Sequence, residues 1–295
     1  MRPRVTLEQW RMLQAVVDQD GYAGAAEALS KSVSTVSYGI RRLEAGLGVA
    51  LLEVQGRRAV LTAAGRELLR RSRYLLDEAV AIERVAALLA RGWEPVVRLA
   101  VEVIFPQERL LASLDAFARV TGTTRVELIE SVLSGTNEQL VAGTADLAVT
   151  ALVPPGFLGE PLVTVEFVAV AHPDHALHAL GRPLTQRDLR QHRQLVVRDS
   201  GLREPRDAGW LGAEQRWTVS HLATSVDAVA RGMGFAWLPR HRIAGLLADG
   251  QLQPLPLAEG ALRHVELYLV FADREDAGPA ARALADCLRR SCPGD

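Results

Sequence analysis

The sequence predicts an α/β fold class in which a small helical N-terminal domain is joined by a long helix to a larger α/β domain. Apolar residues follow helical spacing at the start of the chain, a seven-residue repeat follows Thr62, and strand and helix patterns alternate from Val96 onward. The 295 residues exceed one typical domain, and 48% hydrophobic with 23% charged residues is ordinary globular composition. We therefore expect two folded domains and a connecting helix.

The first 62 residues contain three short helical patterns followed by two short strand patterns. Ser32 is a natural N-cap for the third helix, and Gly46 and Gly48 are expected to end it. The helices are predicted over Leu7 to Val17, Ala23 to Leu29 and Val33 to Ala45, and the strands over Leu51 to Val54 and Ala59 to Leu61. Three helices and a two-stranded ribbon form a winged helix-turn-helix, which we assign to residues 1–62.

A heptad pattern marks residues 63–92 as a linker helix that begins after the cap residue Thr62. Large apolar residues recur every seven positions, and a small residue follows each of the first three by four positions. These residues are Leu68, Leu75, Ile82 and Leu89, with Ser72, Ala79 and Ala86. The spacing favours a coiled-coil seam between two copies of the chain. The alternative is a surface helix that packs only on its own domain.

Residues 93–295 are predicted to form the α/β domain, and strand-helix alternation of this kind favours a parallel sheet. The strands are predicted over Val96–Val103, Arg125–Glu130, Asp146–Ala151, Leu162–Ala171, Gln194–Val197, Phe235–Leu238 and Arg263–Phe271, and the helices over Gln107–Val120, Thr136–Val141, Leu222–Arg231 and from Ala277. The length allows two subdomains, the first at about 93–163 and 264–295 and the second at about 164–263. Ligands in such folds collect at the C-terminal ends of the strands.

Charge is distributed unevenly along the chain. Residues 1–92 hold 14 basic and 10 acidic side chains, a net charge of +4, and the remainder holds 34 − 14 = 20 basic and 35 − 10 = 25 acidic, a net charge of −5. A basic module joined to an acidic one indicates a protein that meets phosphate groups with its N-terminal end.

Several classes of protein are disfavoured by what the sequence lacks. No apolar run is long enough to span a membrane and no signal-peptide core follows the N-terminus, so we expect a cytoplasmic protein. Cys287 and Cys292 have no clustered histidines or acids beside them, so we expect no metal site. His172, His175 and Ser200 allow a hydrolase to be imagined, but no G-x-S-x-G, P-loop or H-E-x-x-H motif is present. We expect neither an enzyme nor a cofactor.

Residues 21–65, GYAGAAEALSKSVSTVSYGIRRLEAGLGVALLEVQGRRAVLTAAG, resemble the helix-turn-helix of LysR-type transcriptional regulators. The double alanine, the Val-Ser step, the Leu-Glu pair, the Leu-Gly pair and Leu-Thr-x-x-Gly occur together at the family's spacing. GMGFAWLP at 232–239 and VEFVAVAHPDH at 165–175 resemble segments of the family's effector domain. The resemblance implies a periplasmic-binding-protein-like effector domain of two α/β subdomains. It also implies sequence-specific control of promoters in response to a small-molecule effector.

The resemblance also names the expected partners of the chain. They are double-stranded promoter DNA, a small-molecule effector and further copies of the chain in a dimer or a dimer of dimers, with RNA polymerase as a candidate and no membrane. The other class considered, a transport binding protein of similar fold, would carry a signal peptide and no DNA-binding module.

Candidate DNA contacts lie on the third helix opposite the expected inward residues Val33, Val36, Ile40 and Leu43. The N-terminal part of a recognition helix lies nearest the bases, so Ser34, Thr35 and Tyr38 are the candidate base contacts. The candidate phosphate contacts are Lys31, Ser32, Arg41 and Arg42, with Ser37 at the edge of the face and Arg57 and Arg58 at the wing tip. Ser32 serves equally well as a helix cap. Tyr22 and Val54 depart from the family pattern, where Ser and Arg are usual, so the wing contact is expected from the tip arginines.

The resemblance places the effector contacts just after the first three strands of the α/β domain and across on the second subdomain. The corresponding residues are Glu102, Val103, Ile104, Phe105, Ser131, Thr150, Asp199, Ser200 and Ser220. Glu102 is unexpected in a pocket that often receives anions. Three interpretations stay open: its side chain faces solvent, pairs with Arg198 or Arg203, or selects a cationic or neutral effector.

Overall fold

The computed structural model describes residues 3–55, 58–203 and 205–293. The chain divides into two compact units, one ending at Arg91 and the other beginning at Gly92. Arg57, a predicted wing-tip contact, lies outside the described residues. No described helix is long and apolar enough to cross a membrane.

The N-terminal unit contains the three predicted helices, the two-stranded ribbon and the long helix. The elements are α1 (Leu7–Asp18), α2 (Tyr22–Ala28), α3 (Val33–Leu47), β1 (Leu52–Gln55), β2 (Arg58–Leu61) and α4 (Ala63–Leu89). Thr6 opens α1 with a capping box, and Gly48 ends α3 in the left-handed conformation at φ 70°. Gly46 lies inside α3 and does not end it. Tyr22, one of the two departures from the family pattern, packs half-buried against the core of this unit.

Helix α3 packs against α1 through Val36, Ile40 and Leu43, which are buried as predicted. Gly39 allows the close approach, because a Cβ at this position would collide with the Sδ of Met12. Val33 is not inward: it is 48% exposed, which corrects the prediction. The reason is that residues 30–35 are all exposed, so the first turn of α3 lies outside the core of this unit.

Helix α4 buries one stripe in its own unit and leaves another exposed. Leu69 and Leu76 join the core of the helix-turn-helix, and Ser72 is buried between them with its Oγ bonded to the carbonyl of Leu69 at 3.0 Å. Ser72 therefore belongs to the intramolecular face and not to the predicted seam. Leu75, Ile82 and Leu89 are exposed large apolar residues.

The C-terminal unit is built on one nine-stranded sheet in the order β4-β3-β5-β11-β6-β9-β7-β8, with β10 beside β6. The strands are β3 (Val96–Glu102), β4 (Arg125–Ser131), β5 (Leu147–Thr150), β6 (Gly159–Ala171), β7 (Gln194–Val197), β8 (Arg216–Val219), β9 (Phe235–Pro239), β10 (Gln253–Pro254) and β11 (Leu262–Phe271). The helices are α5 (Gln107–Thr121), α6 (Ser134–Val141), α7 (Gln186–Arg190), α8 (Leu222–Ala230), α9 (Ala244–Ala248) and α10 (Pro279–Ser291).

The sheet is mixed, which corrects the prediction of a parallel one. Strand β3 is parallel to β4 and β5, and β7 is parallel to β8 and β9. Strands β6 and β11 are antiparallel to each other and to their other neighbours, β9 and β5. Both strands are long enough to continue from one lobe of the unit into the other. A strand that crosses back in this way has to run antiparallel to the parallel strands of the lobe it enters.

Separate cores fill the two lobes of this unit. In the first lobe, α5 and α10 cover β3, β5 and the early part of β6, and Cys287 and Cys292 are buried there as free thiols. In the second lobe, α8 packs on β7, β9 and the later part of β6. Strands β3 and β4 end side by side at Glu102 and Ser131, so the polar residues that follow the parallel strands meet at one edge, facing the second lobe.

Candidate DNA interface and effector cleft

The first turn of α3 is organised by Ser32. Its Oγ accepts a hydrogen bond from the backbone N–H of Thr35 at 3.1 Å, so Ser32 caps the helix. The same Oγ lies 2.8 Å from the Oγ of Ser34 and 2.7 Å from the Oγ1 of Thr35. The cap therefore also fixes the two hydroxyls that were predicted to face the bases.

The remainder of the predicted α3 face is open to solvent. Tyr38 is 57% exposed, Arg41 and Arg42 are exposed, and Ser37 is half-buried at the edge. Neither guanidinium forms an ion pair with any described residue. Glu44, the acid nearest to them in sequence, instead accepts the backbone N–H groups of Leu51 and Leu52 at 2.7 and 3.1 Å.

The turn before α3 and the wing carry the remaining predicted contacts. The Nζ of Lys31 lies 3.2 Å from a carboxylate oxygen of Glu8, which ties the turn to α1. Arg58 is exposed at the start of β2, and Val54 is exposed on β1, where the family usually has arginine. The sequence-predicted DNA residues within the described part of the chain are therefore all exposed except Ser37, which is half-buried.

A cavity of about 210 Å³ lies between the two lobes of the C-terminal unit. Its walls are mainly apolar and aromatic, with a few polar side chains among them. The polar and aromatic side chains of the lining include Glu102, Gln194, Trp210, Ser225, Trp237 and Arg263. Such a concave, mostly apolar site with a few placed polar groups is typical of a small-molecule site.

Glu102 ends β3 inside this cavity and is only 2% exposed. Its Oε2 accepts the backbone N–H of Leu133 at 3.2 Å, and its Oε1 has no hydrogen-bond partner of normal geometry among the described residues, although the backbone N–H of Ala151 is close enough to lower the pKa of the carboxyl. Burial raises the pKa of Glu102 to about 7, and the nearby Asp199 carboxylate adds to the rise. Of the three interpretations, exposure to solvent is excluded, and no ion pair to Arg198 or Arg203 occurs within the described ranges.

Leu133, whose backbone N–H donates this hydrogen bond to Glu102, has an unusual backbone conformation. Its φ is 50° and its ψ is −118°, a combination that costs a residue with a Cβ on the order of 1–3 kcal/mol. The strained residue immediately precedes α6 and also lines the cavity. Strain of this kind is commonly held at ligand-binding sites by the surrounding contacts.

Two further polar atoms of the cavity lining are buried without a partner. Gln194 donates its Nε2 to the carbonyl of Trp210 at 2.7 Å, which leaves its Oε1 unpaired. The Oγ of Ser225 on α8 is also unpaired. Both residues are almost completely buried.

Aromatic rings and one arginine form the second-lobe side of the cavity. The rings of Trp210 and Trp237 lie 5.9 Å apart, and the guanidinium of Arg263 stacks 4.3 Å above the ring of Trp237. Gly209 makes room for this arginine, because a Cβ there would collide with its Nη1. Partial burial lowers the pKa of Arg263, which forms no ion pair with the described residues.

Asp199 joins the two lobes at the start of α6. Its Oδ2 accepts the hydroxyl of Ser134 and the N–H of Arg206, each at 2.6 Å, and its Oδ1 accepts the N–H of Gly201 at 2.8 Å and that of Gly135 at 3.3 Å. These hydrogen bonds hold the pKa of Asp199 below its ordinary value despite burial. The carboxylate occupies the N-terminal end of α6, where an anion is favoured.

The predicted effector residues are distributed over several environments. Glu102, Val103 and Ile104 line the cavity, and Asp199 lines an adjoining pocket of about 380 Å³. Phe105 packs in the first-lobe core, Ser131 bonds to Thr136, Thr150 bonds to Asn137, Ser200 bonds to the backbone of Val132, and Ser220 is exposed. The structure does not bring these last five to the 210 Å³ cavity.

Sequence reasoning missed the second-lobe half of the cavity. Gln194 begins the strand QLVV, and Ser225 interrupts the apolar face of α8, so each is a polar residue within an apolar pattern. A polar residue within an apolar pattern could have identified both as candidate cavity residues from the sequence. Trp210 lies in an irregular segment and Arg263 is the second residue of the long strand β11, and neither position carries a local signal of this kind.

Comparison with known proteins places these features in a class. Residues 7–66 match the model of the bacterial regulatory helix-turn-helix protein of the lysR family, and residues 90–293 match that of the LysR substrate binding domain. The chain is 30% identical to the probable HTH-type transcriptional regulator YhaJ of Escherichia coli K12, over 97% of this chain and 95% of that one.

Solved structures agree on the fold. ArgP from Mycobacterium tuberculosis superposes with a TM-score of 0.56 at 24% identity, over 97% of both chains. AphB, a virulence activator of Vibrio cholerae, superposes with a TM-score of 0.55 at 18% identity, over 98% of this chain and 100% of that one. The class is a helix-turn-helix transcription regulator with an effector-binding domain. The chain belongs to the LysR family of transcriptional regulators.

Proposed function

We propose that this regulator binds its operator by inserting α3 into the major groove, with Ser34, Thr35 and Tyr38 facing base edges. The observation that supports this most directly is the open face of α3, where Arg41 and Arg42 are exposed and form no ion pair within the described part of the chain. Lys31, Ser37 and Arg58 flank it. Ser32 acts as the cap that positions the hydroxyls, and phosphate contact by its side chain is secondary.

The test is a DNA-binding titration over a range of salt concentrations with Arg41→Ala. Loss of one phosphate contact per chain should weaken specific and non-specific binding alike and reduce the slope of log K against log salt by about 0.9 per contact. Arg125→Ala, which removes an exposed arginine from β4 in the other unit, is the matched control. An unchanged slope for Arg41→Ala would refute the phosphate role.

We further propose that two copies pair along α4. The exposed residues Leu75, Ile82 and Leu89 lie on one face at heptad spacing and have no intramolecular core to enter. Such pairing would present two recognition helices to half-sites about 34 Å apart. The family resemblance supports a dimer or a dimer of dimers that acts in the cytoplasm, with RNA polymerase as a partner.

The cavity between the lobes is the proposed effector site, and the protein acts as a regulator and not as an enzyme. The bonds of the residues considered for a hydrolase support this: Ser200 bonds to the backbone of Val132, and the Nδ1 atoms of His172 and His175 accept backbone N–H groups within their own loop. The relatives are transcriptional regulators. Effector binding between the lobes would change their relative positions and thereby the operator affinity.

A further inference from the structure

Three buried polar atoms without partners line one cavity. They are the Oε1 of Glu102, the Oε1 of Gln194 and the Oγ of Ser225, which account for three of the five such side-chain atoms in the described residues. Buried polar groups in folded proteins are nearly always hydrogen-bonded, and an unpaired one is costly. Their shared location indicates a ligand that supplies the missing partners.

The missing partners are hydrogen-bond donors. The Nε2 of Gln194 is committed to the carbonyl of Trp210, so its free atom is a carbonyl oxygen that can only accept. The Oε2 of Glu102 is committed to the N–H of Leu133, and its free Oε1 accepts whenever the carboxyl is ionised. Ser225 can take either role. A ligand that matches this lining therefore carries N–H or O–H groups.

The shape and composition of the cavity favour a flat ring. Trp210, Trp237 and Phe167 line it together with aliphatic side chains. Its volume is about 210 Å³, and a dry cavity of roughly 150 Å³ is known to hold one benzene. One ring, or two fused rings, with polar substituents fills this space.

The charges around the cavity disfavour an anion and a strong cation alike. The anion-favouring end of α6 is already occupied by the Asp199 carboxylate, and Glu102 lines the first-lobe wall. On the second-lobe side, Arg263 repels a cation and can donate to a neutral oxygen. The acidic and basic groups therefore balance, and a ligand without net charge pays the smallest desolvation cost.

We propose that the effector is an uncharged ring compound carrying at least two hydrogen-bond donors, which Glu102 and Gln194 accept. This inference rests on the proposed function, in which the cavity is the effector site. It narrows the open interpretations of Glu102 to selection of a neutral, donor-bearing molecule.

The test uses the full-length protein, titration calorimetry and a matched series of probes. The probes are 5-hydroxyindole with two donors, 5-methoxy-1-methylindole with none, indole-5-carboxylate with a negative charge and 5-(aminomethyl)indole with a positive charge. We expect 5-hydroxyindole to bind at least tenfold more tightly than each of the other three. Equal or tighter binding of the carboxylate, of the amine or of the donor-free probe, or no binding of 5-hydroxyindole at millimolar concentration, overturns the proposal.

Variants then test the location of the site separately from the chemical class of the ligand. Gln194→Leu and Glu102→Gln should each weaken 5-hydroxyindole several-fold, and Glu130→Gln, an exposed carboxylate on β4, should not. Ile104→Trp fills the cavity and should abolish binding. If a charged probe binds best and Ile104→Trp abolishes it, the cavity is the effector site and the ligand class is wrong. If 5-hydroxyindole binds Ile104→Trp as tightly as the unaltered protein, both inferences fail.

Discussion

The α3 surface and the interlobe cavity both present polar groups without protein partners, in opposite environments. Arg41, Arg42 and Tyr38 are exposed, so water satisfies them and their lack of partners costs the fold almost nothing. Glu102, Gln194 and Ser225 are buried, so the lack of a hydrogen-bond partner for each costs free energy of folding until a ligand supplies one. An open polar face suits a large, charged partner that brings its own contacts, whereas a buried unpaired group suits a small partner of defined shape.

The strongest test of this contrast is the removal of a fully satisfied group at the cleft. Asp199→Ala leaves three donors without an acceptor, the buried Ser134 hydroxyl and the Gly201 and Arg206 amides, whereas the Gly135 amide keeps the Val132 carbonyl at 3.2 Å. We expect the free energy of unfolding to fall by about 4 kcal/mol, since each unpaired buried donor costs roughly 1–3 kcal/mol. Urea denaturation measures this, and Asp199→Asn should lose less because one acceptor oxygen remains.

Arg41→Ala supplies the other half of that comparison. Because its guanidinium is solvated and unpaired, we expect the free energy of unfolding to change by less than about 0.5 kcal/mol. A large loss of stability for Arg41→Ala, or none for Asp199→Ala, would show that the two regions do not differ as described.

Glu102 should give the C-terminal unit a pH-dependent stability. Its pKa rises from an ordinary value near 4.5 in the unfolded chain to about 7 in the folded one, so the folded state holds its proton more tightly. The stability from the protonated form is complete below pH 4.5 and is lost as pH rises through 7. At about 1.4 kcal/mol per pKa unit, the loss is on the order of 3–4 kcal/mol.

Unfolding measured at several pH values between 5 and 8 checks this dependence. Glu102→Gln keeps an acceptor for the Leu133 amide but cannot ionise, so its stability should vary less over this range. Glu130→Gln is the control and should follow the unaltered protein. An identical pH profile for Glu102→Gln would contradict the assignment.

The smallest expected effect belongs to Thr35. Removing its hydroxyl and methyl leaves the helix and the proposed phosphate contacts in place, so Thr35→Ala should lose about 1 kcal/mol of discrimination at one base pair. Binding to a set of single-base operator variants measures this. Equal weakening at every site would show that Thr35 does not face a base. The Thr35 amide still donates to the Ser32 cap after the substitution, and the cap loses only its hydrogen bond with the Thr35 Oγ1.

The sequence predicted local elements well because periodicity and caps are local signals. Ser32, Thr62 and Gly48 act at the ends of helices as their chemistry requires. The direction of β6 and β11 could not be predicted in this way, because it depends on which strands become neighbours in the sheet. Val33 shows the same limit: its helical phase points inward, but the core does not extend to that turn.

The cleft was predicted only in part for a related reason. Residues that end parallel strands, such as Glu102, can be placed at an edge from sequence alone. Whether the polar atoms of a side chain there already have hydrogen-bond partners depends on which residues the opposite lobe places beside them. Asp199 and Ser200 are engaged in bonds across the lobes, whereas Gln194 keeps one oxygen free, and no local pattern distinguishes these outcomes.

Lys31 is the only lysine in a chain that has 34 − 1 = 33 arginines. A protease that cuts only after lysine therefore has one possible site, which lies in the turn between α2 and α3 and would yield pieces of 31 and 295 − 31 = 264 residues. Operator bound through the proposed α3 contacts would cover this turn. The rate of a single, unambiguous cleavage thus becomes a footprint of operator occupancy that needs no label on either the protein or the DNA.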